Sequence, residues 1–148
     1  MLSRYDDRFA AAIPVSGVNP APDFAGANLI DTPIWAFHSR NLGTVPVGVT
    51  RNVLTSILAA AYEPLPTFPP LGDPSDFYFN NTNRDLQYNE LGTAGHNIWF
   101  GISRVPRIYD WLFAHTMAVP EPGPMAALAP VFLAVFSGRR RHTRPNID

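Results

Sequence analysis

Short apolar runs and amphipathic stretches alternate over the first 115 or so positions of the chain. "AAIPVSG" (11–17) and "PIWAFHS" (33–39) are nearly continuous apolar runs closed by Gly, Ser or polar residues, the form of strands buried on both faces of a parallel sheet. Pro33 suits the first position of such a strand. In "VGVTRNVLTSILAAA" the apolar residues Val49, Val53, Leu54, Ile57, Leu58 and Ala61 recur at helical spacing, which predicts a helix with one face against a sheet. Pro46 is placed for its first position, where a missing amide costs nothing. "VPRIYDWLFAHT" predicts a second helix that starts at Pro106 and aligns Ile108, Trp111, Leu112 and His115.

Between these helices "LQYNEL" (86–91) alternates like a strand. Before it, "EPLPTFPPLGDPSDFYFNNTNRD" (63–85) is too long and too proline-rich for an ordinary connector and reads as an insertion. The order strand, strand, helix, insertion, strand, loop, helix gives an α/β class. Three strands are too few for a complete sheet, so a partial one with an open pairing edge is expected, and with it poor solubility of the isolated chain.

Composition narrows the classes. The 148 residues carry a net charge of −1, whereas a nucleic-acid footprint needs a strongly basic face. There is no cysteine, so disulfides and thiolate metal sites are excluded and the redox compartment stays open. The four histidines, His38, His96, His115 and His142, fall on different elements without an i, i+4 pair, so no metal site and no cofactor is expected. "MLSRYDDRFAAAIPV" has aspartates where a signal peptide has its basic region, so no export address is read at this end. Twelve of the sixteen prolines gather at 14–22, 64–74 and 120–130, marking two loops and a linker.

Three segments, "RYDDRFAAAIPVSG", "TPIWAFHSRNLGTVPVGVTRN" and "GTAGHNIWF" followed by "IYDWLF", resemble in order and spacing the second half of an α/β-hydrolase of the secreted esterase type, the group containing polyhydroxybutyrate depolymerases and feruloyl or acetyl-xylan esterases. The likeness covers residues 3–114 apart from the insertion. It implies the C-terminal half of an α/β-hydrolase parallel sheet with flanking helices, and a Ser-Asp-His order of catalytic residues. By that resemblance His96 in "GTAGHNIW" stands at the place of the general base. The family's Asp comes four residues after the strand-end His and three before the Val-Pro pair, a place held here by Leu42. Leucine cannot accept the imidazole N–H or stabilise an imidazolium. Asp85 and Glu90 are the carboxylates that could substitute, or else are surface charges.

The nucleophile is absent. No G-x-S-x-G occurs in the 148 residues; the family places it on an elbow upstream of "RYDDRFAAAIP". Ser16 and Ser39 end strands without the matching frame and read as turn residues bonded to backbone. Without the triad only binding and an oxyanion hole would act, a residual of roughly 10³ to 10⁴ over water, and that hole also uses amides from the upstream part. The chain alone is therefore expected to be inactive as an esterase. Phe77, Tyr78 and Phe79 could line an acyl or aromatic pocket, or form a local hydrophobic cluster that pins the insertion. Trp35, Trp99 and Trp111 read as core and sheet-covering residues.

The chain ends in "VPEPGPMAALAPVFLAVFSGRRRHTR" (119–144) and four further residues. Its apolar run, 125–137, makes about 20 Å of helix against a hydrocarbon core of about 30 Å, and Pro130 interrupts it. It is a marginal membrane anchor by itself. The order of Pro120, Glu121 and Pro122, the apolar run, and Arg139, Arg140 and Arg141 is similar to the PEP-CTERM sorting signal of Gram-negative bacteria. That likeness implies export across the inner membrane, retention there through a C-terminal hydrophobic helix, processing by an exosortase-type enzyme and delivery to the cell surface or medium. The arginines fit the positive-inside rule.

The expected organisation is a truncated α/β-hydrolase domain at 1–116 with its insertion at 63–85, a linker at 117–124, and a hydrophobic helix with a basic tail at 125–148. Two functional readings follow. One is a surface-sorted remnant of a secreted carboxylic-ester hydrolase, with an ester substrate as its possible ligand. The other is a non-catalytic envelope or extracellular protein with a structural or binding role. Leu42 favours the second; the retained "RFAAAIP", "GHNIW" and tail favour the first.

Overall fold

A six-residue strand with no exposed residue, β1 (Ile34–Ser39), is paired along both of its edges. The computed structural model describes residues 8–17, 25–40, 44–95 and 97–116. The chain divides into two units, Met1–Met117 and Ala118–Asp148, and every described residue belongs to the first. The C-terminal helix expected at 125–148 lies outside the described residues.

After β1 come helix α1 (Gly48–Ala60), strands β2 (Phe77–Asn81) and β3 (Leu86–Leu91), and helices α2 (Trp99–Ile102) and α3 (Pro106–Phe113). The strand order is β1-β3-β2. β3 runs parallel to β1, with Ile34 opposite Leu86 and Ser39 opposite Leu91. β2 runs antiparallel to β3, with Phe77 opposite Glu90. On the other side of β1, residues 12–16 lie parallel to it through bridges at Ala12 and Val15. They are tied by Trp35 N–H to the Ala12 carbonyl at 3.0 Å, Phe37 N–H to Pro14 at 2.9 Å and Ser16 N–H to Phe37 at 2.8 Å. Ile13 and Val15 alternate with these residues, so their backbone groups face away from β1, on a side with no paired strand among the described residues.

The alternation of strand side chains divides the core into two layers. Ile34 and Ala36 face one side with Leu86 and Tyr88, under Leu54, Ile57 and Leu58 of α1. Burial of each of those three helix side chains contributes about 1.5–3 kcal/mol. Trp35 and Phe37 face the other side, under Ile98, Ile102 and Ile108 of α2, α3 and the turn before them. Trp35 stacks on Phe37 at 5.4 Å and meets Trp111 edge-on at 5.6 Å.

Several local details differ from the sequence pattern. Pro46 is not the first helical residue: α1 begins at Gly48 with Val47 as its N-cap, because residues 46–48 form a turn through Val49 N–H to the Pro46 carbonyl. α1 ends in a Schellman motif, with Tyr62 N–H to Ala59 and Glu63 N–H to Leu58. Its left-handed position is held by Tyr62 at φ 57°. The insertion is not only coil, since it contributes β2. Phe77 and Phe79 of that strand pack with Phe68 on the α1 side of the sheet, the hydrophobic-cluster alternative, while Tyr78 stays half exposed on the opposite face.

Candidate functional site

Open parallel sheets bind ligands beyond the carboxyl ends of their strands, where successive loops emerge side by side. Here β1 and β3 are adjacent and parallel, so the loops that follow them leave the same edge. Arg40 N–H donates to the Leu91 carbonyl at 2.8 Å, and the Ser39 hydroxyl donates to the carbonyl of Ala94. The first of these loops contains Leu42 and the second contains His96. Both residues themselves lie outside the described residues, as do Pro120, Glu121, Pro122, Arg139, Arg140 and Arg141 of the tail.

The α1 side of this edge is closed by a buried ionic cluster. Glu90 follows Leu86 and Tyr88 on the inward face of β3, so its carboxylate needs charged partners in place of water. Arg40 Nε donates to Oε1 at 2.5 Å; Arg51 of α1 donates to Oε1 at 2.5 Å and to Oε2 at 2.8 Å; Tyr88 O–H donates to Oε2 at 2.8 Å. Burial pushes the Glu90 pKa up, but the hydrogen bonds from Arg51, Arg40 and Tyr88 outweigh it and leave the carboxyl below its ordinary value. Burial and the Glu90 contact push the Tyr88 phenol well above its usual range. The arginines also hold the insertion: Arg51 donates to the Pro69 carbonyl at 2.9 Å and Arg40 to that of Asp73. Gly92, just past β3, leaves room for that segment, since a Cβ there would overlap the Pro74 carbonyl.

The opposite face of the same edge is hollow. A cavity of about 520 Å³ opens beside the loop that carries His96, with Gly95 and Asn97 among its lining residues. Its floor is Trp35, Phe37, Asn89 and Leu91, and its wall includes Ile98 and Ile102. The Trp35 indole N–H donates to Asn89 Oδ1 at 2.7 Å, and the Arg107 guanidinium lies 5.1 Å from the Trp35 ring centre.

The remaining polar residues singled out in the sequence sit elsewhere. Asp85 is at the opposite, N-terminal end of β3. It contacts His115 Nε2 at 2.7 Å and accepts the Trp111 indole N–H at 3.2 Å. Burial raises its pKa, and the His115 and Trp111 hydrogen bonds overcome that and lower it. Glu90 is not a surface charge, since it is buried between two arginines, whereas Asp85 stays partly exposed at the surface and is bonded to His115. His38 is wholly buried, with Nδ1 at 2.7 Å from the Thr50 hydroxyl and Nε2 at 3.1 Å from the Val45 carbonyl. That carbonyl only accepts, so Nε2 carries the proton.

Ser16 differs from its expected role as a turn residue bonded to backbone. It has φ 46° and is buried, and its hydroxyl has no hydrogen-bond partner among the described residues. The sequence also gave no warning that Arg40 and Arg51 converge on Glu90. The available signal was parity, since Glu90 shares the inward register of Leu86 and Tyr88. Among the described residues no group of three His, Asp or Glu is placed to hold a metal, and no helix is long and apolar enough to cross a membrane. Comparison of the chain with protein-family models, curated proteins and solved structures gives no match.

Proposed function

We propose that this chain carries the C-terminal part of a secreted carboxylic-ester hydrolase of the serine esterase type, sorted to the bacterial surface by its tail, and that it has no turnover by itself. The observation that carries the reading is the parallel pairing of β1 with β3, which starts the Leu42 loop and the His96 loop side by side at one edge. In a serine esterase this is the placement needed for an Asp–His pair. Here His96 supplies the base, while Leu42 cannot orient its ring. Neither strand-end serine supplies the nucleophile, since Ser39 is buried and donates to Ala94, and Ser16 is buried.

The purified full chain is expected to give no saturable hydrolysis of p-nitrophenyl butyrate. Saturable turnover abolished by His96→Ala would overturn the claim of inactivity. For the tail, the mass of the protein recovered from cells with an exosortase should fall by the sorting segment, and Glu121→Ala should leave it full length. An unchanged mass for both would contradict the sorting role.

A second reading, a non-catalytic surface protein with a binding or structural role, is favoured by one specific observation. Leu42 has no compensating carboxylate in Glu90 or Asp85, because both are engaged elsewhere. The two readings share the same fold and differ in whether the chain is the remnant of an esterase or a module with a binding or structural role of its own.

A further inference from the structure

The cavity on the Trp35 face has a volume within the range of small-molecule sites, about 300–1,000 Å³. Its surface is mostly apolar: Trp35, Phe37, Leu91, Ile98, Ile102 and Ile108 supply the body. The polar remainder is one-sided. The indole N–H of Trp35 can only donate, so the Asn89 atom 2.7 Å away is the amide oxygen. That fixes the carboxamide and leaves its NH₂ group as the donor available to a ligand. Arg107 adds a guanidinium fork held over Trp35, and among the described residues that line the cavity there is neither Asp nor Glu. Asn97 also lines the cavity, its Oδ1 accepting the Trp99 indole N–H, so the site combines an apolar body with a cationic rim that offers donors.

From this complementarity we propose that the cavity binds an apolar monocarboxylate, with its hydrocarbon part on Trp35 and Phe37 and its carboxylate shared between Arg107 and the Asn89 amide. A planar guanidinium fork matches the two oxygens of a carboxylate. One arginine and one neutral amide suit a single negative charge. The inference goes beyond the hydrolase reading and fails separately from it, because it concerns binding on the sheet face and requires no turnover.

The test is a titration of the full chain with octanoate, followed through the Trp35 indole N–H resonance, with octanamide as the uncharged probe. Octanoate should shift that resonance saturably. Arg107→Gln should weaken octanoate by about tenfold or more, the scale of a hydrogen bond to a charged group, and leave octanamide unchanged, while Arg107→Lys should retain part of the affinity. Gly101 also lines the cavity, and a Cβ built there meets no atom within 4 Å. Gly101→Leu should therefore fill the space without backbone conflict and abolish binding of both probes. Absence of a saturable Trp35 shift, equal octanoate affinity in Arg107→Gln, or binding unaffected by Gly101→Leu would each overturn the proposal.

Discussion

Arg40 Nε lies 2.5 Å from Glu90 Oε1, and both side chains are wholly excluded from water. Arg51 reaches the same carboxylate from α1, so one anion at the end of β3 joins the end of β1, the covering helix and the insertion. Removing one partner from a buried charge pair costs about 3–5 kcal/mol, because the other is left uncompensated. Glu90→Gln should lose stability on that scale in urea denaturation at pH 7. A loss under 1 kcal/mol would mean that water reaches the arginines.

The same carboxylate should govern acid stability. Its folded pKa is depressed below the unfolded value, so its contribution is full above the ordinary glutamate range and is lost as pH falls through the folded value. Melting temperature of the wild type should drop across that acidic interval. Glu90→Gln should show a flatter dependence there; equal slopes would assign the acid sensitivity to other groups.

Tyr62 occupies a left-handed C-cap position at φ 57° and is 97% exposed. Its side chain has little packing to lose, while glycine enters this region without steric cost. Tyr62→Gly should stabilise the protein by about 1 kcal/mol. A lower melting temperature would show that the ring has a packing role.

Ser16 combines φ 46° with a buried hydroxyl lacking a partner among the described residues. Ser16→Gly removes both costs, backbone strain of about 1 kcal/mol or more and an unsatisfied hydroxyl. It should raise the unfolding midpoint in urea, and a decrease would reveal an interaction of that hydroxyl in solution.

Among the described residues no strand pairs with the outer backbone groups of Ile13 and Val15, which form a template for another strand. Sedimentation velocity on the full chain should show concentration-dependent self-association. A monodisperse monomer across micromolar concentrations would contradict an open edge.

The elements were legible where a single period dominates. Ile34–Ser39 and Leu86–Leu91 emerge as strands from their apolar run and alternation, and Pro106 marks the start of α3. β2 was hidden by its prolines upstream and its asparagines, and becomes a strand because β3 offers it an edge. α2 is one turn long, too short to carry a period. The Arg40–Glu90–Arg51 cluster brings Glu90 to two arginines 50 and 39 residues before it in sequence, and no local pattern encodes such a meeting. The cavity likewise arises from three separate segments. His96 and Leu42 were marked through resemblance, and parallel pairing places the starts of their loops together.

The central claim is that positions 42 and 96 form the Asp–His pair of a hydrolase from which the Asp has been lost. Titration of the His96 ring by NMR in the wild type and in Leu42→Asp, with Leu42→Asn as the uncharged control, tests it without needing activity. A carboxylate next to the ring favours its protonated form. The His96 midpoint should move to higher pH in Leu42→Asp and stay in place in Leu42→Asn. An unchanged midpoint in Leu42→Asp would contradict it.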